Sequence, residues 1–166
     1  MFSKAVLLAF FTFTAGSRAA GNFGLVGLGR TYLEPLCCYA CLSSLWALQL
    51  DCPQAPNLDP KHGLDPSCHS TNAIYLSSLA YCMQTKCQAD GLTTNATEQC
   101  WSKVAGDGAQ VSSLEDNLPT VAPTSELAYG ATTLDQISLV NEQYYSASIG
   151  TIKQVAAQET AHALYG

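Results

Sequence analysis

EPLCCYACLSSLWALQLDC, residues 34–52, sets Cys37, Cys38, Cys41 and Cys52 into a run that otherwise reads as one nearly wholly apolar helix. Cys37 and Cys41 are one helical turn apart and so share a face. What thiols at this spacing do depends on the compartment. In a reducing cytosol they imply metal or redox chemistry; outside it they imply crosslinks.

The first residues bear on that choice. MFSKAVLLAFFTFTAGSRAA opens with the basic Lys4, continues through an apolar run and ends in small residues. This is the order of a secretory signal peptide over residues 1–19, with Ser17 and Ala19 at the positions a signal peptidase favours. The apolar run is shorter than the roughly 20 residues that span a bilayer. All eight cysteines lie beyond the expected cut, and an even count in an exported chain points to four disulfides. An exported protein also gives meaning to the one acceptor sequence, Asn95-Ala96-Thr97, as a glycosylated surface loop.

Removing Lys4 and Arg18 leaves five basic against thirteen acidic side chains, a formal charge of −8. That charge argues against nucleic acid or anionic lipid as partners. The 147 residues that remain after 19 are removed from 166 make one domain, with a core that crosslinks would reinforce.

Two helices dominate the cysteine-rich half, residues 20–101. The first, 33–50, follows Pro35 near its first turn and carries Leu42, Leu45, Trp46 and Leu48 without an internal charge. The second, TNAIYLSSLAYCMQTKC, begins at an N-cap at Ser70 or Thr71 and directs Ile74, Leu79, Cys82 and Met83 toward a partner. Between them CPQAPNLDPKHGLDPSC, rich in proline, cannot continue a helix, so the chain turns back. Facing positions on two antiparallel helices keep a nearly constant sum of residue numbers. That rule pairs Cys37 with Cys87, Cys41 with Cys82 and Cys52 with Cys68, and leaves Cys38 for Cys100. An exchange of Cys37 and Cys38 is the nearest alternative.

Residues 102–133 are rich in Ser, Thr, Gly and Pro and read as a linker with one short helix at SSLEDNL. From 134 to 166 a stripe of Tyr145, Ile149, Ile152, Ala156 and Ala163 predicts a C-terminal helix with one packing face. The expected fold class is mainly α: a small disulfide-stapled helical hairpin plus that helix.

The sequence offers little catalytic chemistry. Zinc modules use spaced cysteine pairs, which CCYAC and Cys68-His69 do not provide, so no metal site is expected. His62, among prolines, and His69, after a cysteine, read as exposed side chains. GNFGLVGLG lacks the preceding strand that a dinucleotide loop needs, and reads as an extended N-terminal arm. No nucleophile elbow, H-E-x-x-H helix or paired-carboxylate site is present, so no catalytic residue is assigned.

The pieces taken in order do resemble a known family. YLEPLCCYACLSSL, the Pro-rich link to TNAIYLSSLAYCMQTKC, Cys100-Trp101, the spaced Pro119 and Pro123 and the ending ETAHALYG are similar to the extracellular N-terminal region of fungal ferric reductases. The resemblance implies an outer domain on the plasma membrane's outer face, ahead of membrane helices that carry haem and cytosolic domains that carry FAD and NADPH. In that family electrons pass from NADPH to ferric or cupric chelates outside. None of the haem, FAD or NADPH motifs has a matching position in this chain, so no cofactor and no enzymatic activity are expected of it. The partners implied are iron chelates or iron-uptake proteins, with membrane attachment through helices downstream of Gly166. The rival expectation is a free secreted cysteine-rich interaction protein.

Overall fold

A computed structural model describes residues 35–52, 66–106 and 108–165, with the side chains of 66, 67 and 156–165 outside that description. The expected signal peptide at 1–19, the expected GNFGLVGLG arm, His62 and most of the Pro-rich link lie outside the described residues.

The chain is mainly helical, stapled by four disulfides. Helix α1 (Leu36–Leu45) begins after Pro35, whose backbone is extended and whose side chain gives no cap. It has no polar face to offer solvent: Cys37, Cys38, Tyr39, Ala40, Cys41, Ser44 and Leu45 are all buried. It can be buried on most sides because it lies against three other helices. The expected helix to residue 50 stops earlier. After a turn through Trp46 and Ala47, β1 (Gln49–Leu50) takes over and buries Leu50.

Helix α2 (Pro66–Thr71) leads directly into α3 (Ala73–Ala89). The cap of α3 is Asn72, one residue beyond the positions expected, because Ser70 and Thr71 belong to α2. The Asn72 side chain accepts the Tyr75 N–H at 2.9 Å, satisfying one of the four N–H groups a helix start leaves open. The other end closes on Gly91 at φ +80°, where Leu92 N–H reaches the Cys87 carbonyl and Gly91 N–H the Gln88 carbonyl. This pair of bonds is a Schellman motif, and the left-handed residue it requires favours glycine.

The turn delivers the chain into α4 (Thr94–Val104), a helix the sequence reading did not contain. Thr93 caps it by accepting the Ala96 N–H at 3.3 Å. Its buried stripe, Thr97, Cys100, Trp101 and Val104, has the three- and four-residue spacing of one helical face.

Residues 102–133, read from composition as a linker, are packed into the fold. Trp101 donates its indole N–H to the Ser112 carbonyl at 2.8 Å, and the Glu98 carboxylate accepts the Leu114 N–H at 3.0 Å. These bonds hold the loop against α4 and start the short α5 (Leu114–Asn117), within the SSLEDNL stretch where a helix is expected. Leu114 and Leu127 are buried in the common core. Strand β2 (Thr133–Leu134) then lies parallel to β1, with Gln49 opposite Thr133 and Leu50 opposite Leu134. Helix α6 (Glu142–Tyr165) begins eight residues later than the expected segment, and Asn141 caps it by accepting the Gln143 N–H at 2.9 Å. It packs on α1, so α1 lies against α3, α4 and α6 together.

Candidate functional site

The cysteines define the most highly constructed region. Cys37 is bonded to Cys87 and Cys41 to Cys82, tying α1 to α3 with Cα separations of 5.2 and 5.8 Å. Cys38 is bonded to Cys100, tying α1 to α4, and Cys52 to Cys68, tying the end of β1 to α2. The bonds are the set reached by matching positions across the two helices, with Cys37 and Cys38 not exchanged. No cysteine is free. The sulfur atoms are therefore crosslinks and not nucleophiles, since thiolate chemistry requires a reduced residue. Bonds of this number form and persist in oxidising surroundings.

His69, expected to be exposed, is 1 % exposed. Its ring stacks on Trp46 with centroids 4.3 Å apart and planes 4° from parallel, and meets the edge of Tyr75 at 4.7 Å. Its Nε2 lies 3.3 Å from the Trp46 carbonyl. The Cys52–Cys68 bond next door ties α2 to the segment that follows β1, and the ring beside it lies inward on Trp46. A neighbouring cysteine in a loop-like stretch signals exposure only when the cysteine is not itself anchored in the core. Among the described residues, no group of three or more His, Cys, Asp and Glu side chains is placed to hold a metal ion.

A grouping of ionisable side chains that the sequence did not single out lies where α3 meets the start of α6. A shallow groove of about 380 Å³ runs there between Tyr81, Thr85 and Lys86 on one side and Glu126, Val140 and Glu142 on the other. The Lys86 ammonium pairs with the Glu142 carboxylate and stands 4.9 Å from the Tyr145 ring centroid. Glu126 accepts from the Asn141 amide at 2.7 Å, which fixes the groove's other rim to the cap of α6. The Tyr145 hydroxyl is buried without a hydrogen-bond partner, and its pKa is pushed up to about 12 by that burial first and by the nearby charges of Asp90 and Glu142 second. Tyr145 was legible as a packing position in the helical stripe. Its meeting with Lys86 was not, because the two lie on helices whose relative placement no local pattern specifies.

Buried hydroxyls pin the helices laterally. Ser44 donates to the Ala40 carbonyl at 2.7 Å and lies 3.3 Å from the Ser148 hydroxyl, joining α1 to α6. Asn95 is exposed in the first turn of α4, not in a loop, while Thr97 of the same acceptor sequence is 3 % exposed. No described helix is long and apolar enough to cross a membrane. The side chain of His162, part of the family-like ending, lies outside the described residues.

The charged groups of this groove pair with neighbouring side chains, Lys86 with Glu142 and Glu126 with the Asn141 amide. No family model matches the chain, and neither a curated protein nor a solved structure matches it.

Proposed function

We infer that this chain is a non-catalytic extracellular domain, the counterpart of the outer N-terminal region of a fungal ferric or cupric reductase. The order of its motifs supports the reading, and so does where those motifs fall. YLEPLCCYACLSSL supplies α1, the helix at the centre of the core, and Cys100-Trp101 supplies both its bond to α4 and the anchor of the following loop. The observation that carries the reading is α6. A single helix of 24 residues, roughly 36 Å at 1.5 Å per residue, packs its first turns on α1 and continues through the family-like ending. Such a helix transmits a fixed orientation from a stapled core to a membrane helix downstream. Haem, FAD and NADPH belong to those downstream parts in the family, and this chain's own share is to cover the outer face, where iron chelates arrive and iron-uptake proteins dock.

Sequencing the transcript through and beyond the Gly166 codon tests this. Membrane helices with spaced histidine pairs in the same reading frame are the expected result. A stop with no such helices overturns it in favour of a free secreted cysteine-rich interaction protein. Calorimetric titration of the purified domain with ferric citrate tests the chelate-receiving role separately, and the absence of binding heat removes that role.

A further inference from the structure

The acceptor sequence Asn95-Ala96-Thr97 is held in a conformation that a glycosyl-transferring enzyme cannot use. Transfer to an asparagine amide requires the enzyme to engage the asparagine and the hydroxyl two residues on at one site. In an α-helix residues two apart point about 200° apart around the axis. Asn95 accordingly faces solvent, and Thr97 faces the core at 3 % exposure, with its hydroxyl donating to the Thr93 carbonyl at 3.2 Å. Freeing Thr97 means unwinding the first turn of α4.

That turn is not free to unwind alone. Thr97 shares its buried face with Cys100 and Trp101. Cys100 is bonded to Cys38 in α1, and Trp101 is tied to Ser112 across the next loop. Between Thr97 and the second anchor, Glu98 holds the Leu114 N–H. The finished fold, by contrast, tolerates a sugar: the Asn95 side chain is exposed, so a glycan attached earlier does not obstruct α4.

We propose that Asn95 is an N-glycosylation site that accepts its oligosaccharide only while α4 is unformed, and that closure of the Cys38–Cys100 bond ends the interval in which it can be modified. The step joins the Asn95 amide nitrogen to the anomeric carbon of a lipid-diphosphate-linked oligosaccharide. The bond from that carbon to the diphosphate oxygen breaks, the lipid diphosphate leaves with the electron pair, and the amide proton passes to the enzyme's base. No oxidant or reductant is consumed. The inference rests on the reading of the chain as exported, since the lipid-linked donor is met along the secretory route.

The test uses purified full chain, a purified oligosaccharyltransferase and a lipid-linked oligosaccharide. It therefore does not depend on whether cells export the protein, which the appearance of signal-cleaved chain in the culture medium reports separately. Three forms are compared by peptide mass: the oxidised protein, the same protein reduced and alkylated, and an oxidised Cys38→Ala/Cys100→Ala variant. The reduced form is expected to be modified at Asn95 and the oxidised form at least about tenfold more slowly, the population factor that local opening of a packed helix imposes. The variant falls between them, and an Asn95→Gln control gains no mass. Equal rates for the oxidised and reduced forms, or no transfer to the reduced form, overturn the proposal. A variant no faster than the oxidised wild type overturns the assignment of control to the Cys38–Cys100 bond.

Discussion

Ser78 and Ser138, 60 positions apart in sequence, are joined in the core by a hydrogen bond from the Ser138 backbone N–H to the Ser78 hydroxyl oxygen at 3.0 Å. The same hydroxyl donates to the Ile74 carbonyl at 2.8 Å, so one side chain on α3 satisfies a loop N–H that has no strand partner. Ser78 is fully buried and Ser138 nearly so.

Removing that hydroxyl strands a buried donor. Ser78→Ala is expected to cost about 1–3 kcal/mol, because the Ser138 N–H loses its partner without regaining water. At roughly 2–4 °C per kcal/mol for a chain of this size, thermal unfolding followed by circular dichroism resolves the change. Ser77→Ala, at a half-buried position with no such partner, is expected within about 0.5 kcal/mol of wild type.

The crosslink from α1 to α4 should have a local signature. With Cys37–Cys87 still closed, the extra loop that Cys38–Cys100 closes is short, and the entropic model gives about 3 kcal/mol for a loop of roughly 15 residues. Cys38→Ala/Cys100→Ala is therefore expected to lower global stability by about that amount. Hydrogen exchange should show α4 losing protection before α3, which keeps two bonds to α1. Simultaneous loss in both helices would contradict the arrangement.

Alkaline stability follows from Tyr145. Its folded pKa is raised to about 12 from 10.0, so folding favours the neutral phenol. The contribution is present in full below pH 10 and is lost as pH rises from there through about 12, because the unfolded chain ionises first and is stabilised by doing so. Tyr145→Phe is expected to flatten the decline in unfolding midpoint over this window, relative to wild type. Tyrosinate absorbance of the folded protein should lose, in Tyr145→Phe, a step that wild type shows above pH 10.

Two glycines predict opposite signs. A Cβ at Gly106 would overlap the Ala109 carbonyl, in a loop that Trp101 and Glu98 prevent from shifting. Gly106→Ala is expected to destabilise by about 1–3 kcal/mol. Gly150, inside α6, meets nothing within 4 Å, and Gly150→Ala is expected to stabilise by about 0.5–1 kcal/mol through lost freedom in the unfolded chain. Denaturant midpoints measured on both variants check the pair.

The stapled hairpin was legible because its signals are local. Cys37 and Cys41 are spaced to share a helical face, and Cys82 and Cys87 lie within one continuous helical pattern. The helix in 134–166 was legible for the same reason, through Tyr145, Ile149 and Ile152. Helix α4 was not, because TNATEQCWSKV opens in Thr and Asn, residues that also suit turns. Its face of Thr97, Cys100, Trp101 and Val104 is fixed by packing against both α3 and α1.

The pairing of Gln49–Leu50 with Thr133–Leu134 leaves no readable period, since a strand of two residues has none. His69 was misplaced because burial there depends on a stacking partner, Trp46, from the far side of the Cys52–Cys68 bond. The groove around Lys86, Glu142 and Tyr145 joins distant segments and carries no motif.

The parallel contact between β1 and β2 makes the domain indivisible. Cutting after Trp101 to isolate the cysteine-bearing part would remove Leu114, Leu127, Leu134 and Val140 from the shared interior and uncover the backbone edge of residues 49–50. A minimal unit for grafting or expression must therefore reach past the β2 return and into α6, even though every sulfur lies upstream of it.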